Sequence, residues 1–343
     1  MKLPSLQGGL FGVALFLGTV SCTQTPEVIS LSVEGRRASL AEIEEDAWRL
    51  LPDGAVAWAS IDAQALFEGD LGAVVSELMT EALPFAAGAG VDPAQDIDRV
   101  VAGLYATVGS DIVLICKGRF HKQETAKAIA NNPVSARDQV IRQTPFSGEV
   151  MYVVGQVAMS VLSDSTLVFG TQLGVRRVLE RIEVGRLRRD LPPWYELMLK
   201  NGAADFRLGI DLDSQPIPAT LGSKLKFLLG MRAGRLLGNF RAPGVNLAGS
   251  LSYDTPLHAE ESSKKLQQLT QRLDDWAFVM SALKITNPLQ RMEARATGKN
   301  TQVVVELKGR ALAELLSDSG KFFPLAQEST TGPSPTSSTS PAQ

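Results

Sequence analysis

The chain has 343 residues, 44% of them apolar and 21% charged, the balance of a globular protein long enough for one large core or two ordinary ones. A net charge of −3 excludes bulk electrostatic attraction to nucleic acid, and 6% aromatic content advertises no carbohydrate-stacking surface. The two cysteines, Cys22 and Cys116, exclude a disulfide framework.

In chain order, Lys2 and the terminal amine precede an uncharged apolar run, Leu10 to Val20. At about eleven residues that run falls short of the roughly 20 a spanning helix needs, and it fits the apolar centre of an export signal. Cleavage before Cys22 makes residues 1–21 a signal peptide and 22–38 a polar tether. The pattern resembles a lipoprotein signal, whose mature chain begins at an acylated cysteine. Thr19 departs from the large aliphatic residue such signals favour, and Thr19-Val20-Ser21 also suits an ordinary cleavage that would leave the protein secreted. The expected address is the cell envelope, with Cys22 anchored in the outer membrane or on the periplasmic face of a membrane.

Ser39-Leu40-Ala41-Glu42 has capping-box spacing and predicts a short helix ending at Pro52. Ala55 to Ile61 reads as a buried strand, and Asp70 to Ala89 as a helix. Ile97 to Thr107 and Ile112 to Lys117 read as strands joined through Gly109-Ser110-Asp111. Lys122 to Asn131 is a predicted helix. Strands at Val150 to Val154, Val157 to Ser163 and Thr166 to Phe169 precede a helix over Gly174 to Val184.

The same order then recurs. Phe206 to Leu212 reads as a strand, Thr220 to Leu237 as a Leu-rich helix and Val245 to Tyr253 as a strand. Glu260 to Leu283 reads as a long helix. A hairpin over Gln290 to Leu307 and a helix at Arg310 to Leu316 follow, about 135 residues after their counterparts at 157 to 182. The pattern predicts an α+β fold of mainly antiparallel sheet, helices packed on one face, in two similar halves at 39–190 and 200–320. The Ser/Thr/Pro-rich stretch 328–343 cannot bury apolar surface and reads as a disordered tail.

The early strand, the apolar helix after it, Gly118-Arg119-Phe120 and the run Asp164-Ser165-Thr166-Leu167-Val168-Phe169-Gly170 resemble uncharacterised exported bacterial lipoproteins of the myxobacterial kind. The resemblance covers about 50–185 and implies an exported protein of unassigned activity.

Chemistry is sparse. The only histidines, His121 and His258, lie far apart, and no zinc, serine-hydrolase, phosphate-loop or dinucleotide motif occurs. No catalytic residue, cofactor or metal is therefore assigned. Asp92, Asp96 and Asp98 crowd together as hard oxygen donors, but Pro93 and the lack of a downstream Glu break any EF-hand spacing, and turn chemistry explains them. Cys116 in an apolar strand reads as core. Arg176, Arg177 and Arg181 open one basic cluster. Lys224, Lys226, Arg232 and Arg235 lie in a stretch without a single acid, from Ser214 to Tyr253, among leucines. These seven are the candidates for contact with a membrane surface or acidic partner, against the plainer reading of cations reaching from a core helix to water. The leading expectation is a non-enzymatic, lipid-anchored envelope protein with a binding or structural role. Its partner is the membrane through Cys22, with an envelope protein or an apolar ligand. Two alternatives stand: a carrier of an apolar ligand or lipid, with 220–237 as a cavity wall, and a hydrolase using carboxylates from separate loops, Asp62 and Asp211 first.

Overall fold

Ser39 opens the fold as its spacing requires: its side chain accepts from the Glu42 amide while the Glu42 carboxylate accepts from the Ser39 amide at 2.8 Å. The computed structural model describes residues 36–82, 91–105, 111–135, 139–217, 225–275 and 286–322. The signal peptide, Cys22, nearly all of the tether, Gly109-Ser110, Lys224 and the 328–343 tail lie outside the described residues.

Helices α1 (Leu40–Glu45) and α2 (Ala47–Leu50) precede β1 (Ala57–Asp62), α3 (Ala63–Glu68), α4 (Gly72–Ala82) and α5 (Pro93–Asp96). Strands β2 (Ile97–Leu104) and β3 (Ile112–Gly118) lead to α6 (Lys122–Asn131). A meander follows, β4 (Arg142–Phe146), β5 (Glu149–Val154), β6 (Val157–Ser163) and β7 (Thr166–Thr171), and then α7 (Gln172–Glu183) and α8 (Pro193–Leu199). The second half runs β8 (Phe206–Asp211), β9 (Met231–Asn239), β10 (Gly244–Tyr253), α9 (Pro256–Asp275), β11 (Leu289–Thr297), β12 (Asn300–Lys308) and α10 (Gly309–Phe322).

All twelve strands join one antiparallel sheet in the order β11-β12-β10-β9-β8-β1-β2-β3-β7-β6-β5-β4, an α+β fold. The two halves meet at β1 and β8. Ala59 and Leu208, the third residue of each strand, stand directly opposite each other, so an approximate two-fold axis passes through that pair. Outward from the axis the orders match, β1-β2-β3-β7-β6 on one side and β8-β9-β10-β12-β11 on the other. The hairpins β6–β7 and β11–β12 occupy equivalent places, while the helices that follow them, α7 and α10, lie on opposite faces.

Cross-strand rows show where the halves part. On one face the row Ile61–Val100–Cys116–Leu167–Val161 corresponds to Ile210–Gly234–Leu251–Thr301–Ala296, free of charge in both halves. That face is covered by α3, α4 and α6 in the first half and by α9 and α10 in the second. On the opposite face the buried row Ser60–Val101–Ile115–Val168–Ser160 corresponds to Gly209–Arg235–Ser250–Gln302–Arg295. Its first-half members lie under α1, α2, α7 and α8. Of its second-half members Gly209 is buried, against Trp194 and Tyr195, while Arg235, Ser250, Gln302 and Arg295 are polar and none of those four is buried. The one-face packing expected from the sequence describes the second half; in the first half helices lie on both faces.

The Leu-rich helix expected over 220–237 is corrected. Among its described residues, 225–237, a 3-10 turn, Lys226–Leu228, is followed by strand β9, Met231–Asn239, bonded on both sides. Gly234, Leu236 and Gly238 face the covered side and Arg235 and Leu237 the open one, a period of two that pairing with β8 and β10 enforces over the helix propensity of Leu and Arg. The outer sheet edges are both blunted. Edge strand β4 is short and carries Pro145, and on β11 the Ala294 carbonyl accepts from Ser263 (3.0 Å) and Gln267 (2.8 Å) of α9.

Candidate functional site

The first basic cluster is spent inside the molecule. Arg177 donates to Asp111 (2.9 Å) and to the Asp53 carbonyl (3.1 Å), and lies over the Tyr105 ring at 4.6 Å. Arg181 donates to Asp53 at 2.8 Å and to the carbonyls of Arg49 and Arg188. Arg188 takes the other Asp53 oxygen at 2.7 Å, and Arg189 pairs with Asp46. Burial raises the affinity of Asp53 for its proton, yet the bond from Arg188 and the field and bond of Arg181 more than offset it, so its carboxyl sits below the usual range. The cluster is a clasp between α7, the 186–190 loop and the acidic 46–53 segment. Arg176 alone of the three α7 arginines is exposed, over the Phe146 ring at 5.4 Å.

The second basic set disperses. Arg235 stacks on Trp194 of α8 at 4.7 Å on the open face. Lys226 is exposed in the 3-10 turn, and Arg232 reaches Asp213 at 4.0 Å. The structure therefore brings Arg177 and Arg181 together, and leaves Arg176, Lys226, Arg232 and Arg235 on separate surfaces.

Other singled-out groups have local work. Asp92 caps α5 and accepts from Ala94, Asp96 accepts from the Asp92 amide, and Asp98 accepts from Gln64 and Arg119. Among the described residues no three His, Cys, Asp or Glu side chains group to hold a metal. His121 occupies the position before α6 without a capping bond, and His258 Nδ1 lies 2.6 Å from Asp254. Cys116 is buried, and burial pushes its thiol up to about 12. Asp62 caps α3, and Asp211 accepts from the Asp213 amide. The two sit at opposite ends of the antiparallel β1–β8 pair, about 17 Å apart along a six-residue strand, beyond the ~5–9.5 Å at which two carboxyls flank one bond. They do not form one active site.

What no single sequence segment announces is a cleft between α4 and α10. Leu71, Val245 and Ala313 are buried there, and eight further apolar side chains, among them Leu66, Val74, Leu247, Leu307 and Leu312, are only partly covered. Asp70, Val74, Arg310, Ala313 and Glu314 line an opening of about 440 Å³, within the range of small-molecule sites. Two glycines allow the approach. A Cβ on Gly244 (φ +152°) would lie 2.0 Å from the Gly309 nitrogen, and one on Gly309 would lie 2.6 Å from the Asp70 Cβ. The strand β10, the start of α10 and the α3–α4 junction thus meet at van der Waals contact. The sequence carried the two amphipathic helices, but not the fact that they converge on one strand pair.

No family model matches this sequence, and no curated protein matches it. Among solved structures, crystal form I of TP0453 is similar at 17% identity, with 80% of this chain and 97% of that chain covered and a TM-score of 0.47. Crystal form IV of TP0453 gives 16% identity, 79% and 96% coverage and a TM-score of 0.46, and crystal form III gives 13%, 79%, 97% and 0.46. Among the described residues no helix is long and apolar enough to cross a membrane.

Proposed function

We propose that this is an exported envelope protein, held to a membrane through acylated Cys22, with a non-enzymatic binding role whose ligand is apolar. The α4–α10 cleft carries the reading: among the described residues, a cluster of eleven apolar side chains of which three are buried, beside an opening of about 440 Å³. Apolar area left to water forgoes about 25 cal/mol per Å², so an acyl chain or similar group laid against Val74 and Ala313 in the opening gains by that burial. The export signal and the likeness of 50–185 to exported lipoproteins support the address.

The test is lipid extraction from the purified full-length protein, with Ala313→Trp as the comparison, since an indole there fills the opening. The wild type is expected to carry an extractable lipid in near-stoichiometric amount and Ala313→Trp to lose most of it. Equal trace amounts in both would remove the reading.

A further inference from the structure

A second opening lies at the other end of the β9–β10 pair from the cleft, roughly 27 Å away by the strand rise from Val245 to Tyr253. Its volume is about 240 Å³. Among the described residues, Ile217, Leu228, Leu229 and Met231 form its apolar wall, and Arg232 and Asp254 bring one charge of each sign. Leu229 is half exposed. Hydrogen bonds fix the walls: the Tyr253 hydroxyl donates to the Phe227 carbonyl (2.8 Å), and the Asp254 amide donates to the Gly230 carbonyl (3.0 Å). Gly230 (φ +72°) lets the chain turn beneath the charged groups, because a Cβ there would lie 2.6 Å from Asp254 Oδ1 and against the His258 ring.

Both charges keep bonding capacity. The Arg232 guanidinium lies 4.0 Å from Asp213, longer than the roughly 2.7–2.9 Å of a charged hydrogen bond, and both side chains are exposed. Asp254 Oδ1 lies 2.6 Å from His258 Nδ1, and the Thr255 backbone also bonds the carboxylate. A carboxylate has about four lone-pair sites, so room for a further donor remains. The bond from His258 outweighs the cost of burial, and the fields of His258 and Arg232 add to it, so the Asp254 carboxyl sits below its usual range and stays ionised.

Size narrows the guest. By the ~150 Å³ that a benzene-sized molecule occupies, about ten non-hydrogen atoms fit, the size of leucine or methionine and far below a phospholipid. We propose that this pocket binds a free apolar α-amino acid in its zwitterionic form. Arg232 takes the carboxylate, Asp254 takes the ammonium, and Leu228, Leu229 and Met231 cover the side chain. A carboxylic acid of the same length offers Asp254 only repulsion, and the matching amine leaves Arg232 without an anion. The site stands apart from the α4–α10 cleft and does not rest on the apolar-ligand reading of that cleft.

The test is calorimetric titration of the full-length protein at neutral pH with leucine, with isocaproate, which lacks the amine, and with isoamylamine, which lacks the carboxylate. Leucine is expected to bind, and each analogue to bind at least about tenfold more weakly, the loss of one charge-assisted bond. Arg232→Gln, an exposed change that leaves the fold intact, is expected to weaken leucine by a similar factor and to erase its advantage over isoamylamine. Asp254→Asn is expected to erase its advantage over isocaproate. Ala313→Trp, which fills the other opening, is expected to bind leucine as the wild type does. Equal binding of leucine and either analogue to the wild type overturns the zwitterion, and unchanged leucine binding by Arg232→Gln overturns the role of that guanidinium. Loss of leucine binding in Ala313→Trp places the ligand in the cleft and overturns this site, as does the absence of leucine binding to the wild type.

Discussion

At the scale of single residues, the first half is closed by an aromatic group that a glycine admits. Trp58, Trp194 and Tyr195 pack with ring centroids 5.8–6.1 Å apart, and Trp48 meets Tyr195 at 5.4 Å. They rest on Gly209 of β8, where a Cβ would lie 2.4 Å from Tyr195 Cδ2 and 2.7 Å from Trp194 Cη2. Gly209→Ala is expected to cost about 1–3 kcal/mol in urea unfolding, as overpacking does, and to loosen the Arg235–Trp194 stack. A change below 0.5 kcal/mol would mean α8 shifts freely. Glu42 offers a test by pH. The Ser39 amide, the Ser39 hydroxyl and Arg36 lower its carboxyl from 4.5 to about 2. A folded pKa below the unfolded one adds stability in full above pH 4.5 and loses it as pH falls towards 2, so α1 frays in that window. In Ser39→Ala the amide remains and the hydroxyl goes; carboxyl NMR titration is expected to find the Glu42 pKa raised but still below 4.5. A return to the full ordinary value would contradict the amide's leading part.

At the scale of elements, the paired strands were legible and the pairing itself was not. The capping box, α6, the β6–β7–α7 unit and the β11–β12 hairpin all follow from turns, caps and periods within a few residues. β9 was misread because Leu225, Leu228, Leu229, Leu236 and Leu237 fall near helical spacing. Its strand state comes from partners some 25 residues upstream and a few residues downstream, which no local pattern contains. Pro145 hid β4, and the short α8 lies in a stretch whose only signals are Pro192 and Pro193. The edge of β11 depends on its cover by α9. Ser263→Ala with Gln267→Ala strips both donors from the Ala294 carbonyl. The double variant is expected to lose about 1–3 kcal/mol and to self-associate at lower concentration in sedimentation, because an edge strand then offers an unpaired acceptor. Unchanged stability and a wild-type sedimentation profile would show that the edge needs no cover.

At the scale of the whole molecule, a two-fold repeat of topology is dressed asymmetrically. The face that α7 buries in the first half is built of Val101, Ile115 and Val168, and its counterparts Arg235, Ser250 and Gln302 are made for water. The open face therefore reads as a solvated surface, not an empty seat, and the last helix goes to the other side, where Val245, Leu247 and Leu307 call for cover. There, among the described residues, α10 and α4 leave the cleft between them. The sequence showed the repeat at about 135 residues and the apolar faces of both helices. It did not show that the second half's closing helix lies on the other face, because that depends on the polarity of four strands read together in register. The basic clusters illustrate the same limit. Their charge was plain, and their partners, Asp46 and Asp53, lay over 120 residues away.

The measurement that reaches the central claim most directly is native mass spectrometry of the full-length protein purified from its own membrane, followed by denaturation of the same sample. The expected result is a chain starting at Cys22, heavier by its acyl groups, with a further lipid mass that is present when native and gone when denatured. A chain beginning at Met1, or at an unmodified Cys22, with no mass lost on denaturation, would contradict both the anchor and the apolar ligand.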